Sequence, residues 1–208
     1  MLCRDVFGIT RREAPTTSES VNQPSRPLSG SAIRTDQPAA EKLFHGPGEM
    51  RALCRAFDWS ATPLGPVHSW PRSLRNTVAL LLASQHPMFL WWGADLVQVY
   101  NGGYRPSLGD SNRHPAALGA SGANFWIESW DIIKSQIDQV MMGGEATWHV
   151  DQLVPVERNG HVEQVYWTYG YNPVLDDAGS IGAVLVICQE TTERVSLPNG
   201  SCERRIAH

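Results

Sequence analysis

The chain has 208 residues, with 17 Lys and Arg against 21 Asp and Glu, a formal net charge of −4. A hydrophobic share of 42% beside 18% charged excludes wholesale disorder, and the mildly acidic balance lacks the basic footprint of a nucleic-acid binder. Cys3, Cys54, Cys188 and Cys202 form no CxxC pair, which argues against a zinc site or disulfide framework and fits a reducing compartment. The start, MLCRDVFGITRREA, has no apolar core segment of a signal peptide. The strongest apolar runs, 78–83 and 87–93, fall far short of the ~18 residues that span a bilayer. The expectation is a cytoplasmic protein that engages no membrane.

Residues 1–45 are rich in Ser, Thr, Pro and Gln, whereas all eight Trp and all five Tyr lie between Trp59 and Tyr171. Such a segment buries too little surface to offset its ordering entropy. It is expected to be a disordered tail, dispensable for folding. Residues 46–195 are expected to form one domain, followed by a short tail at 196–208. A helix near 48–57 leads into a Pro- and Gly-punctuated loop, Asp58-Trp59-Ser60 to Pro66. From Pro71, the spacing of Leu74, Val78, Leu81 and Leu82 predicts an amphipathic helix ending near Ser84. Runs 88–92 and 96–100, parted by Gly93-Ala94-Asp95, predict a hairpin. Trp126, Trp130, Ile133, Ile137 and Val140 predict one face of a helix over 126–142 that Gly143-Gly144 ends. Strands follow at 146–157, 162–174 and 181–187, with Asn159-Gly160 as a hairpin turn. The order implies an α+β fold, a five-stranded antiparallel sheet with helices packed on one face.

That order, with its residues, resembles the PAS domain, and more narrowly the N-terminal PAS sensor domain of bacterial hybrid sensor histidine kinases. The segments that carry the resemblance over 46–195 are Asp58-Trp59-Ser60, Thr62-Pro63-Leu64-Gly65-Pro66, Ser69-Trp70-Pro71, Trp92-Gly93, Tyr100-Asn101, and His114-Pro115-Ala116-Ala117-Leu118-Gly119. Gly144-Glu145-Ala146-Thr147-Trp148, Arg158-Asn159-Gly160 and Glu190-Thr191-Thr192-Glu193-Arg194-Val195 complete them. The resemblance implies a cavity between the sheet and the helix near 126–142, and an output at Glu190, Thr191 and Thr192. Where the family usually has Asn-Asp-x-Tyr, this chain has Asn101-Gly102-Gly103-Tyr104, which removes a carboxylate. After Val195, Pro198 and Gly200 break a helix and no heptads follow. The expectation is therefore a two-component-type sensor module without its own transmitter, with a truncated sensor histidine kinase as the alternative.

The candidate ligand-binding residues are Trp91, Asn101, Tyr104, His114, Trp126, Trp130, Trp148 and Cys188, with Trp167 a further aromatic candidate. The tryptophans either line an aromatic pocket or fill the core. His114 is either a ligand contact and loop latch or a loop cap before Pro115. Cys188 also reads as a small buried hydrophobe. Haem-binding relatives place an axial His on or beside the long helix, which has none here, and His149 reads as a strand residue. Photoactive flavin relatives need an Asn-Cys-Arg-Phe setting, which is absent. No cofactor is therefore assigned. No Gly-x-Ser-x-Gly or phosphate-cradling loop occurs, and Asp176-Asp177 reads as turn chemistry. Three functions remain open. A PAS-type module could bind a small molecule, a ligand-free module could bind a partner kinase or a second copy, and an enzyme could use the aromatic pocket. The missing acid/base pair argues against the enzyme.

Overall fold

The computed structural model describes residues 30–110 and 112–196, with side chains from residue 36 onward. Residues 1–29 of the expected N-terminal tail, and 197–208 of the C-terminal one, lie outside the described residues. Three antiparallel strands, β3 (Thr147–Arg158), β4 (His161–Leu175) and β5 (Ile181–Glu190), join the hairpin β1 (Met88–Trp92) and β2 (Val97–Tyr100). The sheet order is β2-β1-β5-β4-β3, so β5, last in sequence, sits at the centre. This matches its apolar character on both faces. The Asn159-Gly160 turn has positive φ at both residues, the geometry a tight hairpin requires.

Register sets which side chains share a face. Phe89 pairs with Val186, Val186 with Tyr171, and Cys188 with Tyr169. These point toward α6 (Trp130–Met141), which packs on β3, β4 and β5 through Ile133, Ile137 and Val140. The predicted start of this helix at Trp126 shifts to Trp130. Trp126 instead follows the short α5 (Gly122–Phe125) in a non-helical conformation, φ −102° and ψ 44°. Its side chain is still buried, so the apolar spacing runs across a break in the backbone.

The opposite face of β1 and β2 carries Leu90 and Val99, both fully buried, and α3 (Arg72–Ala83) packs there. Helical cover thus reaches both faces at this end, beyond the one-face packing expected from element order. The β4–β5 turn caps α3: the Asp177 carboxylate accepts the N–H groups of Arg72 (2.9 Å) and Ser73 (2.8 Å). Donors at Ser73, then the Arg72 amide, hold Asp177 below the ordinary carboxylate range. A carboxylate depressed on folding adds stability above its unfolded pKa and loses it as pH falls through the folded value. Unfolding followed from pH 6 downward is expected to show a steeper acid loss in the wild type than in Asp177→Asn; equal slopes would remove this role.

The expected tail boundary at 45 is corrected by α1 (Gly30–Leu43) and the residues after it. Ala40 is buried and Phe44 fully so. The Phe44 ring lies 6.1 Å from that of Trp59 and 5.9 Å from that of Trp70. Arg55 of α2 (Glu49–Ala56) donates to the Phe44 carbonyl and, at 3.2 Å, to that of Gly46. Polar residues dominate the segment's average, which masks the apolar edge Ala39, Ala40, Leu43 and Phe44. That edge covers two tryptophans the Pro/Gly loop cannot cover alone.

Candidate functional site

Between α6 and the sheet lies a cavity of about 60 Å³. Its walls come from Phe89 and Trp91 of β1, Trp167, Tyr169 and Tyr171 of β4, and Val186 and Cys188 of β5. Val154 and Val156 of β3, Tyr104, Trp126, Ser129 and Ile133 close it. Each strand contributes residues two apart, as the pleat requires of one face.

Two walls share one anchor. Gln98 is fully buried, and its side-chain oxygen accepts the indole N–H of Trp91 (3.3 Å) and of Trp126 (2.5 Å). Its amide nitrogen donates to the Ala117 carbonyl at 3.0 Å. Gln98→Leu leaves two buried indole donors without a partner, at ~1–3 kcal/mol each. The expected loss is about 2–6 kcal/mol by denaturant unfolding, and a loss under about 1 kcal/mol would show that the indoles find other acceptors.

Of the sequence candidates, Trp91, Tyr104, Trp126, Cys188 and Trp167 line the cavity. Trp130 is set back from it, half-buried, with its ring near Gly122, where an added Cβ would lie 3.2 Å from Trp130 and 3.1 Å from Trp91. Trp148 is placed elsewhere: it is 67% exposed, on the opposite face over Gly170. Trp148 pairs with Gly170, one residue out of step with the cavity-facing pair His149 and Tyr169. A shift of one residue along a strand turns a side chain to the other face.

Asn101 does not face the cavity. Its oxygen accepts the N–H groups of Met88 and Tyr104, both at 3.0 Å. Its nitrogen donates to the carbonyls of Leu81 and Ser84 (3.1 Å each) and His86 (2.7 Å). The neighbouring glycines differ in need: a Cβ on Gly103 would sit 2.6 Å from the Gln85 carbonyl oxygen, whereas Gly102 has open space. His114 also lies outside the cavity lining. Its Nδ1 is 2.8 Å from the Tyr100 hydroxyl and its Nε2 3.2 Å from a Glu49 carboxylate oxygen. It latches the loop to α2, and Tyr100 in turn stacks on cavity-lining Phe89.

Burial pushes the Cys188 thiol up to about 12, as it does Cys54. Burial thus disfavours the thiolate, the nucleophilic form, at both positions. Among the described residues no group of three or more His, Cys, Asp or Glu could hold a metal ion.

Two charge clusters meet consecutive residues at the end of β3, one beside the cavity wall and one at the end of β5. The Arg113 guanidinium lies 4.8 Å from the centre of the Trp126 ring and pairs with Glu128 (2.9 Å) and Glu157 (3.2 Å). Next to Glu157, Arg158 bonds Glu163 at 2.7 Å and both oxygens of Glu190 at 2.8 and 3.0 Å. Hydrogen bonds to Glu190 and Glu163 outweigh desolvation and hold Arg158 protonated. Thr191 N–H donates to the Tyr166 carbonyl at 2.7 Å, and the Thr192 hydroxyl accepts Tyr166 N–H at 3.0 Å. All three expected output residues therefore touch the sheet side of the exit into α7 (Thr192–Ser196).

Sequence reasoning missed Gln98, Tyr169, Tyr171, Ser129 and the valines of β3. The alternation Trp167-x-Tyr169-x-Tyr171 is a signal for one aromatic face, and Gln98 within Leu-Val-Gln-Val-Tyr is a signal for a buried polar group.

Residues 114–196 match the model of a family described as PAS fold. A comparison with curated proteins gives no match. Among solved structures, the chain is similar to a phage VqmA–DPO complex, at 19% identity over 59% of this chain and 54% of that one, TM-score 0.43. It is similar to a sensory box sensor histidine kinase from Vibrio cholerae, at 19% identity over 56% and 87%, TM-score 0.37. The PAS domain of Bordetella pertussis BvgS is similar at 17% identity over 59% and 88%, TM-score 0.44. The chain spans about half the length of the phage VqmA chain it matches.

Proposed function

We propose that this PAS domain is a sensor module whose aromatic cavity binds a small molecule without covalent chemistry and passes occupancy to a partner through the end of β5. The observation that carries the reading is the shared position of Trp126. It walls the cavity, it is anchored to Gln98, and it lies against Arg113, which pairs with Glu157 of β3, the neighbour in sequence of Arg158, whose guanidinium bonds Glu190 at the end of β5. A ligand with different affinity for two arrangements of Trp126 shifts their populations, and the charged chain carries that shift to the exit. In this reading the module works in the cytoplasm, catalyses nothing itself, and signals to a separate kinase or a second copy. Among the described residues no helix is long and apolar enough to cross a membrane.

The test is a small-molecule screen read by methyl and amide NMR. Saturable shifts are expected at Ile133, Val154, Val156 and Val186, and should spread to Glu190–Thr192 in the wild type. In Arg158→Ala the cavity shifts are expected to persist while those at 190–192 fade. Shifts scattered over the surface would overturn the reading, as would ATP hydrolysis by the purified protein.

A second reading, a ligand-free interaction module, is favoured by one observation. Trp148, Val150 and Val162 are exposed at 67%, 60% and 57%. A dimer that Trp148→Glu dissociates, without any cavity response, would support it.

A further inference from the structure

The walls of the cavity satisfy only some of their own polar atoms: among the described residues the Trp167 indole N–H is left without a partner, and so are three hydroxyls. The indole N–H groups of Trp91 and Trp126 are taken by Gln98. The Tyr169 hydroxyl donates to Gln136 at 2.8 Å. Among the described residues, the hydroxyls of Tyr104, Tyr171 and Ser129 have no hydrogen-bond partner. These three residues line the cavity and are exposed by only 9%, 3% and 2%. Ser129 is telling, because it stands at the N-cap of α6, where a serine hydroxyl ordinarily accepts a backbone N–H. Here it makes no such bond.

All three hydroxyls stay reachable from the cavity and, without a protein partner, are free to donate to a water or a ligand. From this, and resting on the ligand-binding reading above, we infer that the cavity takes a small neutral molecule with at least one hydrogen-bond acceptor, which the Tyr104, Tyr171 and Ser129 hydroxyls recognise. Neutrality follows from the lining, which contains no charged side chain; an ion there would be buried without a counter-charge. Burial raises both tyrosines well above their ordinary range, so each remains an O–H donor at neutral pH. Size follows from the volume. A cavity of ~150 Å³ holds benzene, so about 60 Å³ holds a molecule of only a few non-hydrogen atoms. A ligand so small binds no tighter than roughly tens of micromolar.

The experiment uses the full chain and three probes of nearly one shape: acetone, neutral with an acceptor; isobutene, neutral without one; and acetate, charged. Methyl signals of Ile133, Val154, Val156 and Val186 report occupancy. Acetone is expected to saturate, isobutene to bind about tenfold more weakly, the worth of one hydrogen bond, and acetate to give no shift. In the double variant Tyr104→Phe, Tyr171→Phe, acetone is expected to fall to the level of isobutene while isobutene is unchanged. Removing hydroxyls that lack partners leaves folding intact, so an unmoved thermal midpoint shows that the variant reports on recognition. Equal binding of acetone and isobutene to the wild type would overturn the assignment to the hydroxyls while leaving the cavity as a binding site. Silence with all three probes and with xenon would overturn both.

Discussion

Asn101→Leu is expected to destabilise the protein by about 2–6 kcal/mol, from ~1–3 kcal/mol for each buried N–H left without an acceptor. The Asn101 oxygen is the acceptor for Met88 N–H, at the start of β1, and for Tyr104 N–H. Its amide gathers three carbonyls where α3 ends and β1 begins. One side chain therefore closes the connection between the outer helix and the sheet. Asn101→Asp keeps the acceptor but turns a carboxylate toward those carbonyls, and is expected to be no better than Asn101→Leu. Denaturant unfolding checks both. A loss below about 1 kcal/mol for either would mean that water serves these groups as well as Asn101 does.

Phe44→Ala is expected to cost about 3–5 kcal/mol, the range for removing a large buried aromatic from a site that cannot collapse. Trp59 and Trp70 flank it, and their own rings meet at 5.0 Å, edge to face. Each indole is fixed from the other side by a hydrogen bond, Trp59 to the Cys54 carbonyl at 2.8 Å and Trp70 to that of Gly65 at 2.9 Å. Held this way, the two rings cannot move in to fill the space. Deleting residues 1–45 removes Phe44 with α1 and is expected to lower the thermal midpoint at least as far as the point variant does. An unchanged midpoint would restore the reading of the whole segment as a tail.

The elements of the sheet were legible because their signals are local. Alternation marks β3 and β4, an unbroken apolar run marks β5, and Asn159-Gly160 marks the turn between two of them. The cavity was legible only in part. Trp91, Trp126 and Trp167 show themselves by size, and so does Trp148, yet size cannot say which face of β3 a tryptophan occupies. The register shift between His149 and Gln152 adds a local irregularity that no spacing rule reveals. Gln98 and Asn101 are polar residues whose roles depend on partners many residues away. Asn101 was legible as a position of interest through the Asn101-Gly102-Gly103-Tyr104 resemblance, but its bonds to backbone rather than to a ligand emerge only once α3 and β1 are placed. Phe44 went unread because averaging over 45 residues diluted a short apolar edge.

The cap that Asp177 places on α3 joins two segments about a hundred residues apart, through the amides of Arg72 and Ser73. Amide hydrogen exchange makes this link visible in time rather than in energy. Those two amides lie at the helix start, where no intrahelical carbonyl protects them. Their exchange is governed by how often the β4–β5 turn opens, not by fraying of the helix. Slow exchange at Arg72 and Ser73 then serves as a clock for the turn. Any signal that loosens the hairpin of β4 and β5 would be read first about a hundred residues earlier in the chain, in the first turn of a helix that lies on the other face of the sheet.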